Sequence, residues 1–267
     1  MPVMRHRRVN RLLATSAALA CAFGASAAAS AEDSYLLALT WLPTFCGAGD
    51  HAGLPECKAS SATAPRLVLH GLWPDWDMNG DGKRDAADDF CVTGDPDRKA
   101  IIDLDGQSAR AGNWLALPEL KLSAASSNDL QGVMPGTASG LERHEWWKHG
   151  TCSGLAQEEY FATAILLVRE VERSNLARVI AQQAGDGVDR NKLLAAFESD
   201  FGANTSRALT LDCQKTADGA ALLEIRIRLK RETVTQGLNT VDLDVPQEAP
   251  SGNCAAEVRI PDWRHQE

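Results

Sequence analysis

The sequence predicts an α+β protein, with a central antiparallel sheet flanked by helices in a single domain that disulfides hold together. Two short apolar runs bounded by turn residues lie early in the chain, and two segments that alternate apolar and polar residues lie late in it. Stripes of apolar residues at helical spacing separate the two pairs. No internal repeat or linker divides the chain after its N-terminal segment, so one domain is expected.

The first two predicted strands, Tyr35–Trp41 and Arg66–Leu72, are short and apolar, which is typical of strands buried on both faces. The later pair, Arg207–Cys213 and Ala221–Lys230, alternates more clearly. In the last strand we expect one face to carry Leu223, Ile225, Ile227 and Leu229, and the other to carry Glu224, Arg226, Arg228 and Lys230.

Two helices are predicted between the strand pairs. Gln157–Arg173 places apolar residues on one stripe, namely Phe161, Ala164, Ile165, Val168 and Val171. Asn191–Phe201 is the second helix, with Asp189 as its N-cap. The stretch Leu122–Gly140 is rich in Ser, Ala and Gly and is predicted to be a surface loop.

Residues 1–31 are predicted to be a secretory signal peptide, because an arginine-rich head and a short apolar middle precede Ala-x-Ala sites. Cleavage after Ala27 or Ala31 fits this pattern. A lipoprotein signal ending at Cys21 is a weaker alternative, since such sites usually carry leucine three residues before the cysteine. Residues 32–267 are then expected to be secreted or periplasmic, and no apolar run is long enough to span a membrane.

The composition is that of an ordinary globular protein, with 44% hydrophobic and 24% charged residues, which excludes a disordered, collagen-like or coiled-coil chain. Loss of the signal removes four arginines and no acids, leaving 23 basic and 36 acidic residues and a net charge of −13. A protein coated with basic residues for nucleic acid is therefore excluded, whereas a local cationic site is not.

Six cysteines remain after the signal, and an even number in an exported chain suggests three disulfides out of 15 pairing schemes. Proximity in sequence favours Cys46–Cys57 and Cys213–Cys254, which leaves Cys91–Cys152. The sequence has no C-x-x-C pair, which argues against a zinc ribbon or a thioredoxin-like site.

Three histidines lie in two unusual segments, His70 in LHGLWP and the other two in HEWWKHGTC. On a helix, Glu145 and His149 lie about 40° apart and share a face, whereas His144 and His149 diverge by about 140°. The zinc signature H-E-x-x-H needs its histidines four residues apart, so a zinc protease is a weak alternative. A carboxylate, the adjacent Lys148 and a second histidine instead suit acid–base chemistry around an anion, such as phosphodiester cleavage by an internal 2′-hydroxyl.

The segments HGLWP and HEWWKHGTC resemble the two active-site signatures of the ribonuclease T2 family, exported acid-type endoribonucleases. The resemblance extends to LTWLPTFC at Leu39–Cys46, the cysteine spacing, the Tyr160–Val171 helix and the C-terminal strands. It implies the same three disulfides that proximity suggests. It also implies cleavage of single-stranded RNA to 2′,3′-cyclic phosphate ends with low base specificity, by a monomer that needs no catalytic cofactor and leaves DNA intact.

The resemblance assigns His149 as the general base for the 2′-hydroxyl and His70 as the general acid for the leaving oxygen. Glu145 and Lys148 would stabilise the pentacovalent phosphate. No protein nucleophile is required.

Three further residues would bind substrate. His144 would bind phosphate, Trp73 would stack on the base 5′ of the cut, and Asp75 matches a position that contacts that base in some members. One departure concerns Leu141, where the family often has an aromatic residue, and it places the second base site in question. The first strand also has one more residue before its proline than many members.

The segment after HGLWP resembles a calcium loop of EF-hand type when it is aligned from Asp77, with Gly82 at the sharp turn. The predicted ligands of a structural Ca²⁺ are Asp77, Asn79, Asp81, the Lys83 carbonyl, Asp85 and Asp88. Arg84 stands where a paired EF-hand prefers an aliphatic residue. A solvated turn is the alternative.

Two other functional classes compete with the endoribonuclease. A non-catalytic RNA-binding or inhibitory protein on the same fold would be expected to lack a catalytic residue, and none is missing. A calcium-stabilised, metal-dependent hydrolase would need a catalytic metal site, for which the sequence shows no strong pattern.

Overall fold

One six-stranded sheet and eight α-helices make up most of the regular structure in the described part of the chain. The computed structural model describes residue 1 and residues 33–60, 64–78, 80–81, 83–84, 88–94, 96–248 and 252–263, so residues 2–31 of the predicted signal peptide lie outside the described residues. The strands are β1 Ser34–Trp41, β2 Leu67–Asp75, β3 Gly187–Asp189, β4 Leu209–Thr216, β5 Gly219–Lys230 and β6 Glu257–Arg259. The helices are α1 Leu42–Cys46, α2 Pro55–Ser60, α3 Arg98–Ala111, α4 Ala124–Val133, α5 Leu141–Lys148, α6 Gln157–Glu172, α7 Asn175–Gln182 and α8 Arg190–Phe201.

The sheet has the order β2-β1-β5-β6-β3, and β4 also pairs with β5. Its pairings are antiparallel except for a short parallel contact between β5 and β6 at Ala221 and Arg259. The predicted α+β class with a central antiparallel sheet is therefore confirmed. From residue 31 onwards the chain forms one compact unit.

The main hydrophobic core lies between one face of the sheet and the helices. Alternate residues of β1 enter it, namely Tyr35, Leu37, Leu39 and Trp41, and each is at most 1% exposed. Helix α6 covers them with the predicted stripe, in which Phe161 and Val168 are fully buried. None of the helices among the described residues is long and apolar enough to cross a membrane.

The helix that begins at Arg190 follows the predicted cap, because the Asp189 carboxylate accepts a hydrogen bond from the Asn191 amide at 2.7 Å. The surface loop predicted for Leu122–Gly140 is wrong, since this stretch contains α4 and a 3-10 turn. Ser123 caps α4, and Leu130 and Val133, which lie about one turn apart, are buried. The cap and these two buried residues stabilise a helix here although the segment is rich in small residues.

The predicted apolar face of β5 also needs a correction at Leu223. A bulge opposite β4, between Asp212 and Cys213, leaves Leu223 without a partner on that strand, and Leu222 takes the fully buried position. Ile225, Ile227 and Leu229 are buried as expected.

Three disulfides link Cys46 to Cys57, Cys91 to Cys152, and Cys213 to Cys254, which confirms the predicted pairing. The second joins cysteines that are 61 residues apart. A crosslink across that length stabilises the folded state by about 4 kcal/mol through the lost entropy of the unfolded chain.

Candidate active site

His70 is placed by an irregularity in β2. Ala38 pairs with Gly71 and Leu39 pairs with Leu69, so His70 is the extra residue of a β-bulge. Bulges change the direction of a side chain, and here the imidazole is turned toward the polar face of the sheet. The next residue must be glycine, because a Cβ at Gly71 would lie 2.7 Å from Glu145 Cδ and overlap its Oε2.

Helix α5 supplies the second part of the site and ends at Lys148, so that His149 is its C-cap with φ −112° and ψ −48°. Because the regular helix ends there, the 140° divergence predicted for His144 and His149 does not occur, and their ring centroids lie 6.2 Å apart. A Cβ at Gly150 would overlap the Trp146 ring, so glycine is required at the turn that follows.

Glu145 is the most deeply buried charged group of the site, with 1% exposure. Its Oε2 accepts a hydrogen bond from Trp73 Nε1 at 2.7 Å. Its Oε1 has no hydrogen-bond partner among the described residues and lies 3.7 Å from His70 Nε2. A buried acceptor left without a partner is costly, which indicates that the site is built to receive a donor from outside.

Each of the three histidines has a carboxylate beside Nδ1. The closest nitrogen-to-oxygen distances are 2.6 Å for His70 with Glu224, 2.6 Å for His144 with Asp105, and 3.5 Å for His149 with Asp89. For His70 and His144 the hydrogen bond to the carboxylate favours a proton on Nδ1 and leaves Nε2 to exchange protons with a substrate, whereas His149 Nδ1 makes no hydrogen bond among the described residues.

The charges around His70 raise its pKa above the ordinary value of 6.5. Burial lowers the pKa, but the hydrogen bond to Glu224 and the negative charges of Glu145 and Glu224 outweigh burial and the positive charge of Lys148. Protonated His70 therefore contributes stability that is fully present below pH 6.5 and is lost as the pH rises through the raised pKa.

Asp89 is ionised over a wider range than a typical aspartate. Burial raises the pKa of its carboxyl, but His149 and Arg84 outweigh this and hold the pKa below its ordinary range. His149 thus keeps an anionic neighbour in mildly acidic solution.

Two rings and one cation complete the site. The Trp73 ring packs edge-on to His70 and tilted against His149, with centroid distances of 5.1 Å and 5.4 Å. Trp114 packs against His144 at 5.1 Å. The half-buried Lys148 lies close enough to lower the pKa of His70.

A cavity of about 730 Å³ opens beside His70 and Glu224 and extends past Trp114. Leu141, the residue that departs from the family pattern, lines it together with Thr40. The cavity walls therefore join His70 to aromatic and aliphatic surface.

Asp75 lies on β2 beyond Trp73 and is bound by Arg228 Nη1 at 2.7 Å. Arg228 also contacts Asp244 and Ser34. The predicted contact between Asp75 and a base stays a prediction. The Asp75 carboxylate would make that contact while it is already paired with Arg228.

The structure describes only part of the predicted calcium loop, since Asn79, Gly82 and Asp85 lie outside the described residues. Asp77 accepts hydrogen bonds from two amides of its own turn, those of Gly80 and Asp81. Other backbone amides donate to Asp81 and Asp88, namely those of Lys83 and Met78. These bonds give the loop a turn structure of its own, so calcium stays a prediction.

Among the described residues, the one group of three metal-ligand side chains close together is formed by His144, Glu145 and His149, with atoms within 4.8 Å of one another. This proximity is the one observation among the described residues that favours the zinc-protease alternative. The same three side chains have protein neighbours of their own, since Asp105 and Asp89 lie beside the two histidines and Trp73 donates a hydrogen bond to Glu145.

Sequence reasoning finds every residue of the two signature segments but misses four that contact them. Glu224, Asp105 and Asp89 approach the histidines from β5, α3 and the segment before Cys91, and Trp114 follows α3. The alternation in β5 places Glu224 on the polar face, which is the one available signal. The other three carry no pattern that points toward the histidines.

Histidines beside carboxylates, a buried glutamate and a lysine lie together on an α+β, disulfide-linked scaffold, and these residue types are typical of enzymes that use acid–base chemistry. The sequence matches the ribonuclease T2 family over residues 32–242. The chain belongs to the ribonuclease T2 family and is an RNA endonuclease.

Relatives from bacteria and plants agree with this assignment. Ribonuclease I of Escherichia coli strain K12 is 32% identical over 234 residues, covering 83% of each chain. Ribonuclease 1 of Arabidopsis thaliana is 23% identical over 245 residues, covering 90% of this chain and 91% of the relative.

Solved structures share the fold. The SF11-RNase associated with gametophytic self-incompatibility in Nicotiana alata aligns with a TM-score of 0.53 and 17% identity, covering 86% of this chain and 99% of the other. A mutant of RNase MC1 in complex with 5′-GMP aligns with a TM-score of 0.51 and 18% identity, covering 85% and 99%.

Proposed function

We propose that the enzyme cleaves single-stranded RNA by attack of a 2′-hydroxyl on the adjacent phosphate, releasing a 2′,3′-cyclic phosphate and a 5′-hydroxyl. The convergence of three imidazoles on Glu145, each with a carboxylate at Nδ1, is the observation that carries the proposal. His149 removes the proton of the 2′-hydroxyl, and His70 protonates the departing 5′-oxygen. The chemistry of these steps needs no metal ion.

The extra negative charge of the pentacovalent phosphate is met by groups already in place. Lys148 offers a cation, and His144 offers a second donor held by Asp105 and Trp114. Glu145 keeps its unpartnered Oε1 near His70 Nε2, where it orients the imidazole and shares protons with the phosphate. Trp73 fixes Glu145 through its indole N–H and leaves a ring face for a base.

Low base specificity is supported by the same contacts. Stacking on Trp73 accepts any base, and the cavity near Leu141 offers apolar surface from Leu54 and Leu141. Arg228 holds Asp75, which limits its use in reading a base edge. We also propose that the enzyme acts as a monomer and does not cleave DNA, which lacks the attacking hydroxyl.

The decisive experiment incubates the oxidised protein with mixed-sequence RNA in excess EDTA and identifies the product ends. We expect cyclic phosphate ends without added metal and no cleavage of a matched DNA. An RNA that carries a single 2′-deoxynucleotide should resist cleavage at that position alone. Cleavage at the deoxy position, or cleavage that stops in EDTA and returns with zinc, would instead identify a metal-activated water as the nucleophile.

We propose that residues 1–31 direct export and are then removed, so that the mature enzyme works in the periplasm or outside the cell. The arginine-rich head and Ala-x-Ala sites support this, as do three disulfides, which form in oxidising compartments. Mass spectrometry of the enzyme from fractionated cells should find an N-terminus at Ala28 or Glu32. An unprocessed chain in the cytoplasm would contradict export.

Calcium binding at the loop after Trp76 is the second part of the proposal, with a purely structural role. Calcium at 100 times its dissociation constant should stabilise the fold by about 2.7 kcal/mol and raise the Tm by roughly 5–10 °C. Thermal unfolding with Ca²⁺ and with EDTA measures this. An equal Tm and equal activity in Ca²⁺ and in EDTA would contradict the proposed calcium site.

A further inference from the structure

Glu224 lies far from both signature segments in sequence and against His70 in space. It is on β5, where it pairs with Thr40 of β1, and β1 in turn pairs with β2. On the polar face of the sheet, the Glu224 carboxylate reaches past β1 and accepts a hydrogen bond from His70 Nδ1 at 2.6 Å. Its side chain is 14% exposed, so water competes little for this bond.

Two irregularities of the sheet flank this contact. His70 is the extra residue of the bulge in β2, and Leu223, the neighbour of Glu224, is the extra residue of the bulge in β5. In a regular ladder a one-residue shift reverses the face on which a side chain lies. The sheet therefore departs from regular pairing next to each member of the pair.

The second oxygen of Glu224 lies beside a cation. Arg226 Nε lies 3.5 Å from Glu224 Oε1, where it makes no hydrogen bond among the described residues, and the Arg226 guanidinium binds Asp212 on β4. Asp212 pairs directly with Glu224 across the two strands but makes no contact with His70 among the described interactions. Glu224 thus has one oxygen hydrogen-bonded to His70 and the other near a cation that Asp212 holds.

We propose that Glu224 is a positioning residue, which fixes the His70 ring so that Nε2 faces the scissile phosphate and keeps the ring protonated until the leaving oxygen departs. This rests on the proposed function, in which His70 is the general acid. Glu224 does not touch the reacting atoms. It acts through His70, by orientation and by charge.

Other charged groups around His70 do not replace this role. From α5, Glu145 faces Nε2 at 3.7 Å and Lys148 opposes protonation. From β5, Arg226 contributes a positive charge behind Glu224. Glu224 is the anion at Nδ1, and substrate phosphate arriving at Nε2 leaves that contact intact.

The test compares E224Q with E257Q, which removes an exposed carboxylate on β6 of the same sheet, away from His70 and Glu224. NMR titration of His70 in E224Q should show its pKa lowered by about one to two units, the size expected for loss of a hydrogen bond to a charged group. The high-pH limb of kcat/KM should move down by a similar amount, with kcat reduced and KM nearly unchanged. E257Q should leave both curves where they are, and E224D should restore part of the shift.

A substrate with a good leaving group, a nucleoside 3′-(4-nitrophenyl phosphate), distinguishes the positioning role of Glu224 from the role of His70 as the acid. Such a leaving group needs little protonation, so E224Q should lose much less activity on it than on RNA. An unchanged His70 pKa in E224Q would overturn the positioning role. A lowered pKa with an unmoved high-pH limb, and an equal loss on both substrates, would overturn the assignment of His70 as the acid.

Discussion

Substitution of His149 by asparagine is expected to lower kcat on RNA about 10³-fold, with KM changed only a few-fold. Removal of a positioned general base typically costs a factor of about 10² to 10⁴, since the 2′-hydroxyl must then lose its proton to water. His149 is 8% exposed and its ring lies 5.4 Å from the Trp73 ring, so its position in the site is fixed by packing. Steady-state kinetics across mildly acidic to neutral pH measure the effect.

The matched variants are H144N and the pair H70N with H149N. His144 is assigned to phosphate binding, so H144N should raise KM more than it lowers kcat. The double variant should be little worse than H149N alone, because acid and base act in one step. An H149N enzyme that keeps most of the wild-type kcat, with an unfolding temperature like that of wild type, would contradict the assignment of His149 as base.

The second large effect is expected from a single methyl group at Gly71. In G71A the new Cβ would overlap Glu145 Oε2 and Trp73 Nε1, and both are fixed parts of the site. Glu145 must move, which breaks its hydrogen bond to Trp73 and leaves a buried charge without its partner. We expect a loss of kcat of about 10² to 10³ and a destabilisation of about 1–3 kcal/mol.

Gly132 provides the control, because it lies within α4 and has open space where a Cβ would be. G132A should be neutral for activity and stabilise the fold by about 0.5–1 kcal/mol, as alanine favours helix over glycine. Thermal unfolding should therefore shift in opposite directions for the two variants, and RNA cleavage should fall in G71A alone. If G71A kept full activity, the close contact between β2 and α5 would be wrong.

Much of the scaffold can be predicted because its elements carry local signals. The alternation in β5 from Glu224 onwards, the apolar stripe of α6 and the cap at Asp189 are properties of consecutive residues, and all three are found in the structure. The disulfides can be paired because two of them join cysteines that are near in sequence. Helix α4 is not predicted because it has only two buried apolar residues among serine, alanine and glycine, which is too few to form a recognisable stripe.

The site can be predicted only where its residues are contiguous. The two signature segments contain His70, Glu145 and His149, yet the carboxylates beside the histidines lie between 39 and 154 residues away in the chain. A helical wheel also fails at His149, because it assumes a helix that continues past Lys148. Which acid faces which imidazole is decided by sheet register and by bulges, and these depend on pairing between distant strands.

The disulfide between Cys91 and Cys152 links two of the segments that form the site. Cys91 follows Asp89 by two residues and Cys152 follows His149 by three, so this bond ties His149 to its anionic neighbour. Reduction removes this tether, and we expect the reduced chain to cleave RNA more slowly than the oxidised chain.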